Sequence, residues 1–236
     1  MPLRRSLDIK LQLEGCRFTL SKMIKLLNID CEIYMKDVPD KYFDLACVDP
    51  IYGCLQNAYR EANRSKLAKT KNYHNSIWSQ KQTPPEYFKE LFRVSKHQII
   101  WGGNYFELPG SRCWIVWDKD NSGDFADAEL AYTNFDLAVR IFKYRWNGML
   151  QENMKDKEER IHSTQKPVQL YKWLLKNYAK PTDKIIDTHL GSGSSAIAAY
   201  DFGCAEFVGC EIDKDYFNAA VKRFENHKLQ QTIKFC

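Results

Sequence analysis

The sequence predicts an α/β protein whose mostly parallel sheet carries helices on both faces. Three observations lead there. Short β-rich runs alternate with helix-periodic stripes along the chain. Two of those runs end in turn-forming residues of the kind found at the carboxyl ends of parallel strands. The 236 residues are 44% hydrophobic and 28% charged, which is apolar material for one sizeable core and hence one domain over 1–236.

Strands are expected at residues 45–48, 98–101, 114–117, 137–142, 184–187 and 206–209. Between the first two, Thr83-Pro-Pro-Glu86 has the pattern of a capping box with prolines in the first turn. It opens a helix carrying Tyr87, Phe88, Leu91 and Phe92 on one face. After Pro167, Leu170, Trp173, Leu174 and Tyr178 repeat at helical spacing, as do Phe217, Ala220, Val221 and Phe224 later in the chain. These are core-facing stripes. Residues 151–160 mix both charge signs and read as a solvated helix or loop.

Composition excludes several classes of protein. Mean hydropathy is −0.53, and no run approaches the roughly 18 apolar residues a bilayer span requires. The first fifteen residues hold no apolar core with a small-residue cleavage site, so a cytoplasmic protein with no membrane contact is expected. Eight cysteines lack any CxxC pair and several sit in apolar runs, which reads as reduced core thiols. Five histidines are not spaced as ligands, so no metal is expected. Residues 55–83 hold Arg60, Arg64, Lys66, Lys69, Lys71 and Lys81 against Glu61 alone, which accounts for the whole net charge of +5.

Two strand ends carry chemistry. Residues 184–187 run into Thr188-His-Leu-Gly-Ser-Gly-Ser-Ser195, where glycines let the chain turn sharply and a ligand approach the backbone. About 20 residues beyond the first of these glycines, Glu211 ends the next strand, where a carboxylate can accept from both ribose hydroxyls. The loop alone does not choose between NAD and S-adenosyl-L-methionine. The second strand end is Asp49-Pro-Ile-Tyr52. An exocyclic aromatic amine is a poor nucleophile because its lone pair is delocalised into the ring. The Asp49 carboxylate and the Pro50 carbonyl can each accept one of its hydrogens, favouring a pyramidal nitrogen, and Tyr52 can stack on a base that has left the duplex.

Asp49-Pro-Ile-Tyr52, His162-Ser-Thr-Gln-Lys-Pro167 and Asp187-Thr-His-Leu-Gly-Ser-Gly193 followed by Glu211, in that order, resemble the β-class amino-methyltransferases of DNA. In that N6-adenine/N4-cytosine family the elements are usually DPPY, TxKP and FxGxG, and the catalytic half precedes the cofactor half. Methyltransferases of protein glutamine and of rRNA carry the glycine loop first. A dehydrogenase, the NAD-linked alternative, would leave the TQKP element unexplained. The resemblance covers roughly residues 28–225; residues 1–26 show none.

The resemblance implies a Rossmann-like S-adenosylmethionine-dependent fold with circularly permuted motif order. Its catalytic half is 28–150, with a basic insertion at 55–83, and its cofactor half is 162–225. Asp49, Pro50 and Tyr52 would be catalytic. Gly191, Gly193 and Ser194 would surround the methionine part of the cofactor, with Asp187, His189 and Leu190 completing the loop. Glu211 would hold the ribose, Asp30 would meet the adenosine, and Thr164 and Lys166 would lie near cofactor and catalytic strand. Two departures stand out. Ile51 replaces a second proline, so the loop loses one φ restraint, and His189 replaces a phenylalanine.

The resulting expectation is methyl transfer to the N6 amino group of a flipped adenine in DNA. Asp in the first motif position favours adenine, since N4-cytosine enzymes of the family more often carry Ser there. The alternatives are an N4-cytosine enzyme and a catalytically weak DNA-binding protein that keeps the fold. Too little chain lies between the halves for a separate recognition domain. The basic residues Arg60, Arg64, Lys66, Lys69, Lys71 and Lys81 are therefore the expected DNA contacts, with phosphates as their targets. A homodimer and a separately encoded restriction endonuclease are the partners such a protein, bacterial or phage-encoded, could have.

Overall fold

The computed structural model describes residues 23–53, 82–121, 126–147 and 150–234. Strand β2 (Phe43–Val48) shows how the fold is built, because its side chains alternate between two cores. Leu45 and Cys47 enter one core, Ala46 and Val48 the other. The same division holds in β3 (Ser95–Trp101), where Ile99 and Trp101 oppose Ile100. A sheet buried on both faces needs such two-sided apolar strands.

Helices cover each face. On one side lie α1 (Cys31–Lys36) and α2 (Pro85–Val94), which bury Met35, Tyr87, Phe88, Leu91 and Val94. On the other lie α3 (Val168–Tyr178), α4 (Ser194–Phe202) and α5 (Lys214–Lys234), contributing Leu170, Leu174, Ile197, Ala198, Ala220 and Phe224. The remaining strands are β1 (Met23–Asn28), β4 (Trp114–Asp118), β5 (Ala128–Thr133), β6 (Arg140–Lys143), β9 (Lys184–Asp187) and β10 (Glu206–Glu211). The short β7 (Trp146–Asn147) and β8 (Leu150–Gln151) pair only with each other.

The large sheet has the order β1-β10-β9-β2-β3-β5-β4-β6. Its first five strands are mutually parallel, β5 is antiparallel to β3 and β4, and β6 runs parallel to β4. The expected mostly parallel α/β sheet is thus present, and residues from both expected halves share it. From β2 the chain proceeds outward to β3, whereas from β9 it proceeds the other way to β10. The carboxyl ends of β2 and β9 therefore flank a topological switch point, the place where open α/β sheets bind ligands.

Several local expectations are corrected. The capping box is not formed: Pro84 is the N-cap of α2 and no side chain caps it. The run expected at 137–142 is a strand only over Arg140–Lys143, with Leu137, Val139 and Ile141 exposed. β1 forms an edge strand that starts within the 1–26 segment and runs on to Asn28, and neither it nor β5 was foreseen. Its sequence Ala-Glu-Leu-Ala-Tyr-Thr favours helix at its start, yet pairing on both sides makes it a strand. Residues 151–160 are not simply solvated. Gln151 is buried, while Glu158 accepts from the Val168 N–H and from Arg223, joining α3 to α5. Cys47, Cys113, Cys204 and Cys210 are buried free thiols. Among the described residues no helix is long and apolar enough to cross a membrane.

Candidate active site

Parallel strands put their carboxyl ends at one edge, and five of them bring Asp30, Glu211, Asp187, Asp49 and Gly102 there. Asp30 follows β1 and caps α1, accepting the Glu32 N–H at 2.7 Å. The loop after β9 is fixed by carboxylates. Asp187 accepts the His189 N–H at 3.0 Å on one oxygen and the Ser195 hydroxyl at 2.5 Å on the other. Glu211 accepts the Gly191 N–H at 2.8 Å and the Asp213 N–H at 2.9 Å. Gly191 has φ +52°, and a Cβ there would meet nothing nearer than the His162 ring at 3.8 Å. The need for glycine at this turn is conformational, since a Cβ would reach only ordinary contact with that ring.

The side chains around this loop divide into structural and open groups. Leu190 turns into the core against Gly209 and its N–H binds the Cys210 carbonyl. Ser194 is buried, and its hydroxyl lies 3.1 Å from that of Ser192 and accepts from Arg223. Gly193 is the N-cap of α4. His189 lies 2.9 Å from the Thr188 hydroxyl through Nδ1, and burial pushes its imidazole down to about 4 despite the nearby charges of Asp49 and Asp30. Burial likewise pushes His162 down to about 4, and its ring packs 4.2 Å from that of Tyr216. Thr164 is exposed, with its N–H and hydroxyl both on His162 Nδ1. Both histidines are thus neutral rings at neutral pH.

Asp187 makes a pH prediction. Burial raises its carboxyl to about 7, more than its bonds from Ser195 and His189 lower it. An acid with a raised folded pKa holds its proton after the unfolded chain has released it. Stability therefore declines as pH rises from the unfolded value of 3.8 to about 7. At 1.36 kcal/mol per unit this contribution is on the order of 4 kcal/mol. Asp187→Asn is expected to flatten that decline, as read by denaturant unfolding at pH 4.5, 5.5, 6.5 and 7.5; parallel curves for the two proteins would refute it.

At the end of β2, Asp49 is met by one side chain of its own loop and one from the segment before α3. The Tyr52 hydroxyl donates to Asp49 Oδ1, and the Lys166 ammonium lies 2.5 Å from Oδ2. Lys166 is buried, and Glu129 of β5 lies on its other side at 3.2 Å. Burial opposes the ammonium's charge, but Asp49 and Glu129 outweigh it and raise the Lys166 pKa. The Tyr52 ring stacks on that of Tyr105 at 5.2 Å and meets Phe106 edge-on. Beneath it is Gly102, with φ +65° and a would-be Cβ only 2.1 Å from the ring.

Ile51 shows what replaces the missing proline. Its N–H donates to the Thr83 hydroxyl at 3.0 Å, and its carbonyl accepts the Thr83 N–H at 3.0 Å. A proline would have no N–H to give. Thr83, expected as a helix cap, instead clasps the motif loop to the start of α2, so the lost φ restraint is offset by two hydrogen bonds. Gly53 and Gln82 also meet here, a Cβ on Gly53 falling 2.9 Å from the Gln82 Cβ.

The fold thus brings Asp30, Asp49, Pro50, Tyr52, Lys166, Asp187, His189, Gly191 and Glu211 to one edge, while Leu190 faces inward and Thr164 outward. Arg60, Arg64, Lys66, Lys69, Lys71 and Lys81 lie outside the described residues. Glu129, Gly102, Thr83 and His162 are additions that sequence reasoning missed or assigned elsewhere. His162 stood two residues before the TQKP element and could have been found from that. Glu129 lies in a strand with no motif.

The profile of the DNA methylase family matches residues 54–222, well over half of the chain. The chain belongs to the DNA methylase family. The match begins just past Gly53, so it does not include Asp49 to Tyr52. The chain is 24% identical over 202 residues to the type II methyltransferase M.HinfI of Haemophilus influenzae, covering 84% of this chain and 51% of that protein. It is 26% identical over 180 residues to the type II methyltransferase M2.DpnII of Streptococcus pneumoniae, covering 74% and 59%. It therefore spans half to three-fifths of the length of these relatives. Among solved structures, the M1.HpyAVI–SAM complex superimposes with a TM-score of 0.52 at 19% identity, covering 85% of this chain and 100% of that one. The cytosine-N4-specific PvuII DNA methyltransferase gives 0.56 at 11% identity, covering 86% of each. These two likenesses support the Rossmann-like methyltransferase fold.

Proposed function

We propose that the chain is a methyltransferase domain that transfers a methyl group from S-adenosylmethionine to the N6 amino group of adenine in DNA. The observation that carries this reading is the placement of Asp49-Pro50 directly across the switch point from the glycine loop of β9. Two findings favour this cofactor. Gly191, at φ +52°, makes the sharp turn that a cofactor-binding loop needs, and the Glu211 carboxylate keeps lone pairs for ribose hydroxyls beyond the two amides it already accepts. The Asp30 side chain at the same edge is a further acidic group beside a cationic sulfonium. Glu211, Gly191, Asp30 and His189 would hold it. When bound, the cofactor supplies an electrophilic methyl group.

The chain's own residues do the rest. Asp49 and the Pro50 carbonyl accept the two hydrogens of the target amine and draw its lone pair out of conjugation. As the nitrogen is alkylated it becomes cationic and releases one proton, for which the Asp49 carboxylate is the nearest acceptor on the acid side of the loop. The Tyr52 ring offers a stacking face once its contact with Tyr105 opens. Adenine is favoured by the acid-first motif. The basic residues 55–83 leave and re-enter the described fold at Gly53 and Gln82, beside the catalytic loop, which suits a role in gripping DNA phosphates.

Nucleoside mass spectrometry of DNA from a methylation-deficient host expressing the chain tests the reading. N6-methyladenine is expected with the unaltered protein and absent with Asp49→Ala. N4-methylcytosine instead would keep the mechanism and change the base; neither product, from soluble protein, would refute the function.

A further inference from the structure

Both carboxylate oxygens of Asp49 are already engaged, one by the Tyr52 hydroxyl and the other by Lys166 at 2.5 Å. An amine that is to donate to Oδ2 meets an ammonium already there. The Lys166 side chain is 4% exposed, so it has no route to water, and a buried ammonium that gives up its carboxylate needs another. Glu129 provides one. Its Oε2 lies 3.2 Å from the same Nζ, while its Oε1 is held by Lys119. Burial alone would raise the Glu129 carboxyl, but Lys166 and Lys119 hold it down to about 2, so it is anionic throughout the neutral range. The Lys119 ammonium lies 4.9 Å over the Trp117 ring and that of Lys166 5.4 Å over Trp101, so each cation also meets an aromatic face.

We propose that Glu129 is a positioning residue for methyl transfer, receiving the Lys166 ammonium as the target amino group enters and so freeing Asp49 for that amine. The proposal rests on the methyltransferase reading above. Lys119, Glu129, Lys166 and Asp49 alternate in sign, and Lys166 sits nearer Asp49 in the state described. Its movement toward Glu129 requires no new partner. The same arrangement serves the next step. When the alkylated nitrogen passes its proton to the Asp49 carboxylate, that group becomes a neutral acid and Lys166 loses its counter-charge. Glu129 keeps the ammonium paired until Asp49 gives the proton to solvent.

The test is a double-mutant cycle between Glu129 and Lys166, with labelled S-adenosylmethionine and DNA from a methylation-deficient host as substrates. Glu129→Gln is expected to lower kcat/KM for DNA by about tenfold, chiefly through KM for DNA, because Lys166 is then tied to Asp49 alone. Cofactor affinity, read by titration calorimetry, should change by less than about twofold, and Glu129→Asp should restore part of the loss. In a Lys166→Met background Glu129→Gln should cost little, since no ammonium remains to be received. Where that background is too slow for kinetics, equilibrium DNA binding with S-adenosylhomocysteine reads the same cycle. An unchanged KM in Glu129→Gln would overturn the proposal. So would equal losses in both backgrounds that follow the thermal unfolding midpoint, which mark a purely structural carboxylate. An unaltered chain that methylates no DNA would remove the methyltransferase reading itself, and the proposal with it.

Discussion

Asp49→Asn is expected to reduce kcat for methyl transfer by on the order of 10²–10³ while leaving cofactor affinity nearly unchanged. The asparagine keeps the volume and one acceptor oxygen, so the target amine can still be oriented. It loses the negative charge that draws out the nitrogen lone pair and the site that takes the released proton. Lys166 retains Glu129 at 3.2 Å, which limits the loss of fold stability that stranding a buried ammonium would cause. Single-turnover methylation with saturating cofactor separates the two effects. A variant with normal single-turnover rate would show that Asp49 is a structural counter-ion to Lys166, and one with weakened cofactor binding would move it to the cofactor side of the site.

Gly102→Ala should be nearly as damaging, for a steric reason. The added Cβ would lie 2.1 Å from the Tyr52 ring, at a backbone φ of +65° that L side chains rarely adopt. The positive φ and the overlap together are expected to cost ~2–3 kcal/mol of stability. Relief must come from Tyr52, whose ring is the atom group in the way, and its hydroxyl is bonded to Asp49. A displacement of about 1 Å at the reacting groups is worth roughly 100-fold in rate. Gly110, where a Cβ would meet nothing within 4 Å, provides the control. Gly110→Ala should match the parent in both melting temperature and turnover. Full activity in Gly102→Ala would show that Tyr52 can leave Asp49 without consequence.

The relation between these residues explains what was legible in advance. Asp49-Pro-Ile-Tyr52 and the glycine loop are local motifs, each a few residues that follow an apolar run, and local motifs survive in a linear reading. The parallel sheet was legible for the same reason, since strands buried on both faces carry short apolar runs, as β2 does over Leu45 to Val48. The N-terminal edge strand was not, although four of its six residues are apolar, because Met-Ile-Lys-Leu-Leu-Asn has neither strict alternation nor an unbroken run. β5 was missed because its helix-favouring residues are overridden by pairing with β3 and β4. The capping box failed because Thr83 had a more valuable partner in Ile51, 32 residues away.

By itself, the sequence determined which chemistry the strand ends carry and in which order the two halves follow. Periodicity, turn residues and motif spacing are properties of neighbours along the chain. Only the tertiary structure decided what surrounds Asp49: Lys166 from the segment before α3, Glu129 from the antiparallel strand, Gly102 under Tyr52, and Thr83 clasping the loop. These contacts join residues 32 to 117 positions apart. Buried charges must find counter-charges wherever the fold supplies them, and no local pattern records that requirement.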